Sequence, residues 1–254
     1  MLHYGFAYIC SERRHRPRRA RLYVTLALLT FFLTPWANSV AAEPSSVVEP
    51  YPTGDFSLRF ARHRADFDYP TRDIDTTVEW ISVRWQEKLN SRVHGRLFGG
   101  WTTLTQDNNP ATAGARLRGF HAGFGVHVNL LGRRRARLFL SADYTLQDVD
   151  DDAVAQKVSL EWHQVQLQIG VSTLVGIAIR LYGGLNHGVI DGRQRESGTT
   201  NLTIDFDRGP VSGGFAGLEG TIKENDFIGI ELQSGLSRQA EGFSNIVFSW
   251  TQIA

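Results

Sequence analysis

The chain has 254 residues, of which 42% are hydrophobic and 21% are charged, and its formal net charge at pH 7 is +1. These values exclude a disordered chain, which combines low hydrophobicity with high charge. They also exclude a polytopic helical membrane protein, because such a protein needs several apolar runs of about 20 residues.

The first element in chain order is an apolar run between Leu22 and Ala37. Six arginines precede it, and the small-residue stretch from Ser39 to Ala42 follows it. This order is typical of a secretory signal peptide, so we predict Sec-dependent export and cleavage after Ala42. The leader, residues 1–42, holds six of the 27 Lys and Arg but one of the 26 Asp and Glu, which leaves a mature net charge of −4. That charge gives no support to nucleic-acid binding.

The mature chain contains no cysteine, because the single Cys of the sequence, Cys10, lies in the predicted leader. A disulfide, a thiolate nucleophile and a cysteine-ligated metal are therefore excluded from the mature protein. We expect no cofactor. Residues 43–53 are predicted to form a short periplasmic segment, and residues 54–254 to form the folded domain.

From Gly54 onward, apolar residues recur at every second position. In the clearest segment, alternate residues from Phe120 to Leu130 are apolar, and the residues between them are His, Gly and Asn. Such alternation predicts strands with one apolar face. We predict ten strands, at residues 54–62, 74–88, 91–105, 116–131, 134–147, 156–172, 175–190, 209–222, 226–237 and 242–252.

The strands and their connections favour a membrane barrel over a soluble sandwich. The strands exceed the usual length of about 5 to 6 residues, and the mature chain has only three Lys. Short turns alternate with longer polar segments at residues 63–72, 106–115, 148–155, 191–209 and 238–242, an asymmetry typical of outer-membrane barrels. We therefore predict a closed antiparallel transmembrane β-barrel with short periplasmic turns and longer extracellular loops. Ten strands are favoured over eight, although the first strand has the weakest pattern.

The last predicted strand places Ile246, Phe248 and Trp250 in alternation. In this feature, and in the pattern of residues 54–254, the chain resembles the small bacterial outer-membrane β-barrel proteins. The resemblance implies location in the outer membrane of a Gram-negative bacterium. It also implies three kinds of partner: membrane lipids, lipopolysaccharide, and the assembly machinery that recognises an aromatic C-terminal signal. Those barrels usually stop at the aromatic residue, whereas four residues follow Trp250 here.

Aromatic residues near strand ends are expected to form the girdles found at membrane interfaces. The alternative is that some of them only pack against neighbours. The predicted girdle comprises Trp85, Trp101, Tyr144, Trp162 and Trp250.

If the apolar faces contact lipid, the polar faces line the lumen. Its predicted charged and imidazole groups are Arg59, Arg84, His94, Arg96, His121, His127, Arg137, Asp143, Arg180, Glu219 and Glu231. Because buried charge is costly unless it is paired, we expect the arginines to pair with these carboxylates and to plug the lumen. The alternative is a charged constriction that passes small solutes.

The sequence offers little support for a metal site. His121 and His127 lie six residues apart on one strand, a separation of about 20 Å, so they cannot share one ion. We expect them to form hydrogen bonds in the lumen. The acidic run from Asp148 to Asp152 is interpreted as a solvated loop, with binding of Ca²⁺ or Mg²⁺, or bridging to lipopolysaccharide phosphates, as the alternative.

Enzymatic activity is the least favoured interpretation. Omptin proteases pair Asp-x-Asp with Asp-x-His at the outer rim, and Asp73, Asp75, Glu161 and His163 only partly match this pattern. Outer-membrane enzymes that modify lipid A use His with Ser, but the sequence shows no linked His and Ser. We therefore predict a non-enzymatic barrel with a structural role, or with a surface-interaction role towards an unknown extracellular ligand.

Overall fold

The computed structural model describes residues 54–112, 115–133, 136–151, 157–176, 178–198, 201–223, 225–235 and 245–253. The predicted leader, residues 1–42, and the predicted periplasmic segment, residues 43–53, lie outside the described residues. Helical membrane spans are absent from the described part of the chain.

The described chain forms ten strands, numbered here in chain order. They are β1 (Gly54–Tyr69), β2 (Arg72–Lys88), β3 (Val93–Gln106), β4 (Arg116–Arg133), β5 (Ala136–Asp151), β6 (Lys157–Val175), β7 (Ile179–Ser197), β8 (Leu202–Lys223), β9 (Asp226–Gly235) and β10 (Asn245–Ile253). Each strand pairs antiparallel with the next, and β10 pairs with β1. The predicted closed antiparallel barrel is confirmed, with ten strands and not eight.

Alternation along the strands produces a band of apolar side chains on the outside of the barrel, called the belt here. A closed barrel is suited to lipid because every strand edge is paired. The belt includes Phe56, Phe60, Ile81, Val83, Trp85, Leu97, Trp101, Phe120, Phe124, Val126, Leu140, Leu146, Val165, Leu167, Ile169, Val171, Leu185, Val189, Leu218, Ile228, Leu232, Ile246, Phe248 and Trp250.

Beyond the belt, the apolar and polar faces of the strands exchange sides. On β6, Leu167 and Val165 face outward in the belt, but the next outward residues are His163 and Glu161, and the inward residue beside them is the buried Trp162. The outward faces become charged because they leave lipid for water, and the apolar faces then pack inward. We call this outer part the head; it comprises residues 61–69, 72–80, 102–106, 115–119, 147–151, 157–163, 190–197 and 202–208.

The strands therefore extend further outward than predicted. Much of the predicted loops at residues 63–72, 148–155 and 191–209 is strand, because the charged residues there are the outward face of the head. The outer connections are residues 70–71, 107–115, 152–156, 198–201 and 236–244. The periplasmic connections are residues 89–92, 134–135, 176–178 and 224–225, so the longest connections lie at the outer end.

Among the described residues, the barrel has ten strands in the belt and eight in the head. β9 ends at Gly235 and β10 begins at Asn245, whereas the outer end of β1 continues and pairs with β8 through Asp68 and Asp207. Eight strands enclose an interior just wide enough for side chains to fill. The head is thus narrow enough to be closed by a packed core.

Candidate functional site: the closed lumen

Apolar side chains fill the inside of the head. Phe67 of β1 stacks on Phe206 of β8 with ring centroids 4.9 Å apart, and its edge meets Trp162 of β6 at 5.9 Å. β1 and β8 are neighbours in the head, and β6 lies two strands beyond β8, so these three rings meet inside the head. The head core consists of Phe67, Tyr69, Ile74, Val78, Trp80, Leu104, Leu117, Val149, Val158, Leu160, Trp162, Ile190 and Phe206.

A polar network covers the outer surface of the head core. Tyr69 donates a hydrogen bond from its hydroxyl to Gln194 Oε1 at 2.7 Å. Asn109, in the connection between β3 and β4, donates to the same oxygen at 3.2 Å and to Gln106 Oε1 at 2.7 Å. This connection is therefore held across the mouth of the head.

Ion pairs occupy the lumen at the level of the belt. Arg96 donates from Nε and Nη2 to the two oxygens of Asp143, each at 2.6 Å, so the pair is bidentate. Both side chains are buried. A Cβ atom added to the neighbouring Gly125 would overlap Asp143, so this arrangement requires glycine at that position.

Two further ion pairs line the same part of the lumen. Arg180 donates to Glu219 Oε2 at 3.1 Å. Arg84 donates to Asp55 Oδ1 at 3.2 Å, and Gln86 donates to the other oxygen at 3.0 Å. Asp55 was not among the predicted lumen residues. Its position, one residue before the outward-facing Phe56, was the available signal for its inward orientation.

The structure places the remaining predicted lumen residues as follows. Arg59 and Glu231 are buried, and Glu231 accepts a hydrogen bond from Gln233 Nε2 at 2.6 Å. The alternation of β5 places Arg137 on its inward face. The side chain is nevertheless exposed, because Arg137 is the second residue of β5 and lies at the periplasmic rim. Arg137 therefore lies at the rim of the predicted lumen network and not among its buried side chains.

The three predicted lumen histidines are all buried. His121 Nδ1 lies 3.0 Å from Thr102 Oγ1, and His127 Nδ1 lies 2.9 Å from Ser141 Oγ. The His94 ring lies 6.3 Å from that of His127. Among the described residues, no group of three His, Cys, Asp or Glu side chains is placed to hold a metal ion.

One residue of the predicted aromatic girdle does not face outward. Trp85, Trp101 and Trp250 are exposed on the outside of the barrel, and Tyr144 packs beside the outward Phe124 at 5.5 Å. Trp162 is only 2% exposed and belongs to the head core. Trp162 lies on the same inward face of β6 as the glutamines at every second position after it, and it lies beyond the belt.

The residues that partly match the omptin pattern do not come together. Asp73 and Asp75 face outward on β2, and Glu161 and His163 face outward on β6. These two strands lie four positions apart in the eight-stranded head, so the two groups occupy opposite walls. His163 instead approaches Asp191 of the neighbouring β7, with Nε2 at 3.6 Å from Oδ2.

One polar pair on the outside of the barrel was missed from the sequence. His187 Nδ1 lies 2.9 Å from Ser212 Oγ, and both side chains are exposed on the face that contacts lipid. The two residues lie 25 positions apart on β7 and β8, and the register of these strands shifts next to them, between Gly188 and Ile190. A histidine between the outward Leu185 and Val189 was the only signal in the sequence.

Carboxylates cluster on the outside of the head. Partial burial, together with Glu161 and Asp150, raises the pKa of Asp148. Burial and the neighbouring Asp73 likewise raise the pKa of Asp68, at the tip of β1. Asp150 pairs with Lys157 at 3.4 Å. Residue 152, the last of the predicted acidic run, lies outside the described residues.

No protein-family model and no curated protein matches the sequence. Among solved structures, the barrel is similar to the translocator domain of the autotransporter NalP from Neisseria meningitidis, with a TM-score of 0.51, 9% identity, and coverage of 92% of this chain and 98% of that one. It also matches the outer membrane protease OmpT from Escherichia coli, with a TM-score of 0.43, 11% identity, and coverage of 81% and 97%. Identities this low show the fold alone. The protein is an integral β-barrel of the bacterial outer membrane.

Proposed function

We propose that the protein is a non-conducting barrel whose role is structural or lies in interaction at the cell surface, through the head. The head core carries this proposal. Its side chains, from β1 to β8, fill the part of the barrel in which the described residues form eight strands. A solute moving along the axis would have to displace packed apolar side chains, and an apolar constriction excludes water and ions.

The lumen below the head core supports the same proposal. The pairs Arg96–Asp143 and Arg84–Asp55 are buried within the barrel. Separating either pair would leave a charge without its partner in a medium of low dielectric constant, which is strongly unfavourable. These charges therefore act as cross-links in the lumen and not as a selectivity ring.

The outside of the head is suited to contact with polar partners. It carries exposed positive and negative side chains that form ion pairs, such as Arg193 with Asp205 at 2.8 Å and Arg195 with Glu161 at 3.6 Å. Exposed pairs of this kind contribute little to stability, but charges arranged on a rigid surface favour particular partners and raise association rates. The unknown extracellular ligand is therefore expected to be charged.

Single-channel recording in planar bilayers tests the proposal. The purified full chain should insert and give no discrete current steps, while an outer-membrane channel prepared in the same detergent gives them. Heat-modifiable gel migration of the same sample confirms that the barrel is folded. Regular current steps from the folded protein would replace the proposal with a narrow channel.

A second candidate function, hydrolysis of lipid esters, rests on the His187–Ser212 pair. Polar residues facing lipid are expensive and are usually functional, and a serine within hydrogen-bond reach of a histidine can act as a nucleophile. Ser212 Oγ would attack the ester carbonyl carbon as its proton passes to His187 Nδ1. That proton would then leave with the alcohol, and water would release the acyl group. A groove of about 250 Å³, lined in part by Leu140, Leu167 and Leu185, adjoins the pair.

Release of fatty acid from phospholipid and lipid A substrates in mixed micelles tests this second function. Activity should be lost in Ser212→Ala and retained in Ser141→Ala, a matched control whose serine makes the same contact to a histidine but inside the lumen. No fatty acid release from the wild type, or equal release from both variants, rules out this pair as a catalytic site.

A further inference from the structure

A groove lies on the outside of the barrel where the belt meets the head, and its volume is about 430 Å³. Its lower wall is a row of apolar side chains on adjacent strands. Phe248 of β10 is the direct strand partner of Phe60 of β1, which pairs with Ile81 of β2, which pairs with Trp101 of β3. Trp101 is 73% exposed. The groove therefore offers a continuous apolar surface at membrane depth.

The upper wall of the groove is charged. Arg62 is the direct partner of Glu79 on the neighbouring strand, and its Nε lies 3.7 Å from Glu79 Oε1. Arg116 reaches the same carboxylate from β4, with Nη2 at 2.7 Å from Oε2. Two guanidinium groups thus share one carboxylate, and these three groups together carry a net charge of +1.

We propose that this groove binds lipid A, the phosphorylated glycolipid of the outer leaflet. One phosphate would lie between Arg62 and Arg116, and one acyl chain would lie along Trp101 and Phe248. Guanidinium groups match the geometry of phosphate oxygens, and basic pockets at the membrane surface bind lipid head groups. The inference is independent of the proposed function, because it concerns the outer wall and holds whether or not the lumen conducts.

The position of the groove determines which kind of occupant fits. Its apolar wall lies within the belt and faces lipid tails, whereas its charged wall lies just above, at the level of the head groups. An occupant must therefore join an apolar chain to an anionic group across a sharp boundary. A phosphorylated glycolipid meets both conditions, while a protein partner in the aqueous phase would leave the apolar wall to the membrane.

Binding of bisphosphorylated lipid A to the purified full chain in detergent, followed by native mass spectrometry, tests the proposal. Replacing both arginines, in Arg62→Gln with Arg116→Gln, should weaken binding about tenfold, because two charge-assisted hydrogen bonds to phosphate are lost. The matched control is Arg193→Gln with Arg195→Gln. It removes two exposed, paired arginines from β7, away from the groove, and should leave binding unchanged.

A variant that is expected to bind lipid A more tightly distinguishes a loss of binding contacts from a loss of folding. Glu79→Gln removes the carboxylate that competes with phosphate for both guanidinium groups, so it should tighten binding of lipid A. Lipid A stripped of its phosphates should bind more weakly than intact lipid A, and it should bind equally to the wild type and to the double arginine variant.

Three results would overturn the proposal. The first is equal binding of intact lipid A by the wild type and the groove variant. The second is an equal loss in the β7 control, which would indicate non-specific attraction. The third is an equal affinity of the wild type for an anionic phospholipid, which would mean that the groove takes any anionic lipid. Heat-modifiable migration shows whether each variant is folded.

Discussion

The contact between Arg96 and Asp143 depends on residues of three strands. Arg96 lies on β3, Asp143 on β5, and Gly125 on the strand between them leaves the space through which the two side chains meet. The bidentate geometry satisfies both carboxylate oxygens inside the barrel. An ion pair that reaches across the intervening strand at a glycine is therefore one way in which this lumen accommodates charge.

Asp143→Asn should destabilise the barrel strongly. Breaking a buried ion pair typically costs about 3 to 5 kcal/mol, less any stabilisation that lumen water returns to the guanidinium group of Arg96. The control, Asp150→Asn, alters an exposed pair with Lys157 and should change stability by less than about 1 kcal/mol. Thermal unfolding of both variants in one detergent measures the difference. Matched melting temperatures would mean that the lumen is a hydrated channel.

Asp68, at the tip of β1 and above the belt, predicts a dependence of head stability on pH. Burial and the neighbouring Asp73 raise its pKa above the ordinary value of 3.8. The protonated form of Asp68 is therefore favoured in the folded head. The stability that this protonation adds is fully present below pH 3.8 and is lost as the pH rises through the raised pKa.

Asp68→Asn should accordingly stabilise the head at pH 7, and the difference from the wild type should disappear below pH 3.8. Hydrogen exchange at the outer end of β1, followed across this pH range, measures the effect. The control is Asp205→Asn, which removes an exposed carboxylate paired with Arg193. A destabilising effect of Asp68→Asn at pH 7 would contradict the assignment.

At the scale of the strand, alternation in the sequence was enough to predict ten strands and the side to which most residues point. It was not enough to predict where each strand ends. The pattern of β6 inverts between Val165 and His163, because lipid gives way to water outside the barrel and a packed core replaces the polar lumen inside it. On β1, β5, β7 and β8 the charged outward face beyond the belt was interpreted as a loop, and on β6 the inward Trp162 was interpreted as part of a girdle.

The candidate site was only partly predictable for a related reason. Which residues face the lumen follows from alternation on one strand, but which of them touch depends on the register between strands. Arg84 with Asp55, and His187 with Ser212, required the pairing of β1 with β2 and of β7 with β8. The second pairing contains a register shift that no local pattern in the sequence revealed.

Substitutions along the outward face of β6 should locate the edge of the membrane. Ile169→Arg should impair assembly, because an arginine facing lipid near the bilayer midplane costs about 2 to 4 kcal/mol. Ser159→Arg lies on the same face of the same strand but in the head, where water surrounds it, and should be tolerated. Heat-modifiable migration after folding into vesicles measures both. Equal tolerance would mean that the belt is wrongly assigned.

At the scale of the molecule, the barrel combines two kinds of interior. The belt region surrounds a polar, ion-paired lumen, and the head surrounds an apolar core like that of a water-soluble protein. Strands β1 to β8 run through both parts, and β9 and β10 complete the belt, yet the stabilities of the two parts depend on different interactions. The head should therefore be able to loosen while the belt remains intact.

Phe206→Ala should produce this separation. It removes the ring that stacks on Phe67 and Tyr69, and truncation of a buried phenylalanine typically costs about 3 to 5 kcal/mol. Hydrogen exchange should accelerate in residues 202–208 and in the strands that pack against them, with little change in the belt. Phe248→Ala is the control, because lipid replaces its ring. Unchanged hydrogen exchange in the head would show that packing of the head core does not stabilise the head.

The double partnership of β1 has a consequence for how the barrel closes. The periplasmic half of β1 pairs with β10 from Asp55 to Arg62, whereas its outer end pairs with β8 at Asp68. β1 thus has two partners where the barrel closes, β10 near the periplasm and β8 in the head. Contact between the outer ends of β1 and β8 already brings the first and eighth strands together. The final hairpin, β9 and β10, then enters a gap whose two sides are held in place. Since the entropic cost of closing a loop is met when its ends first meet, the contact between β1 and β8 carries most of the cost of closure, and insertion of the hairpin adds little to it.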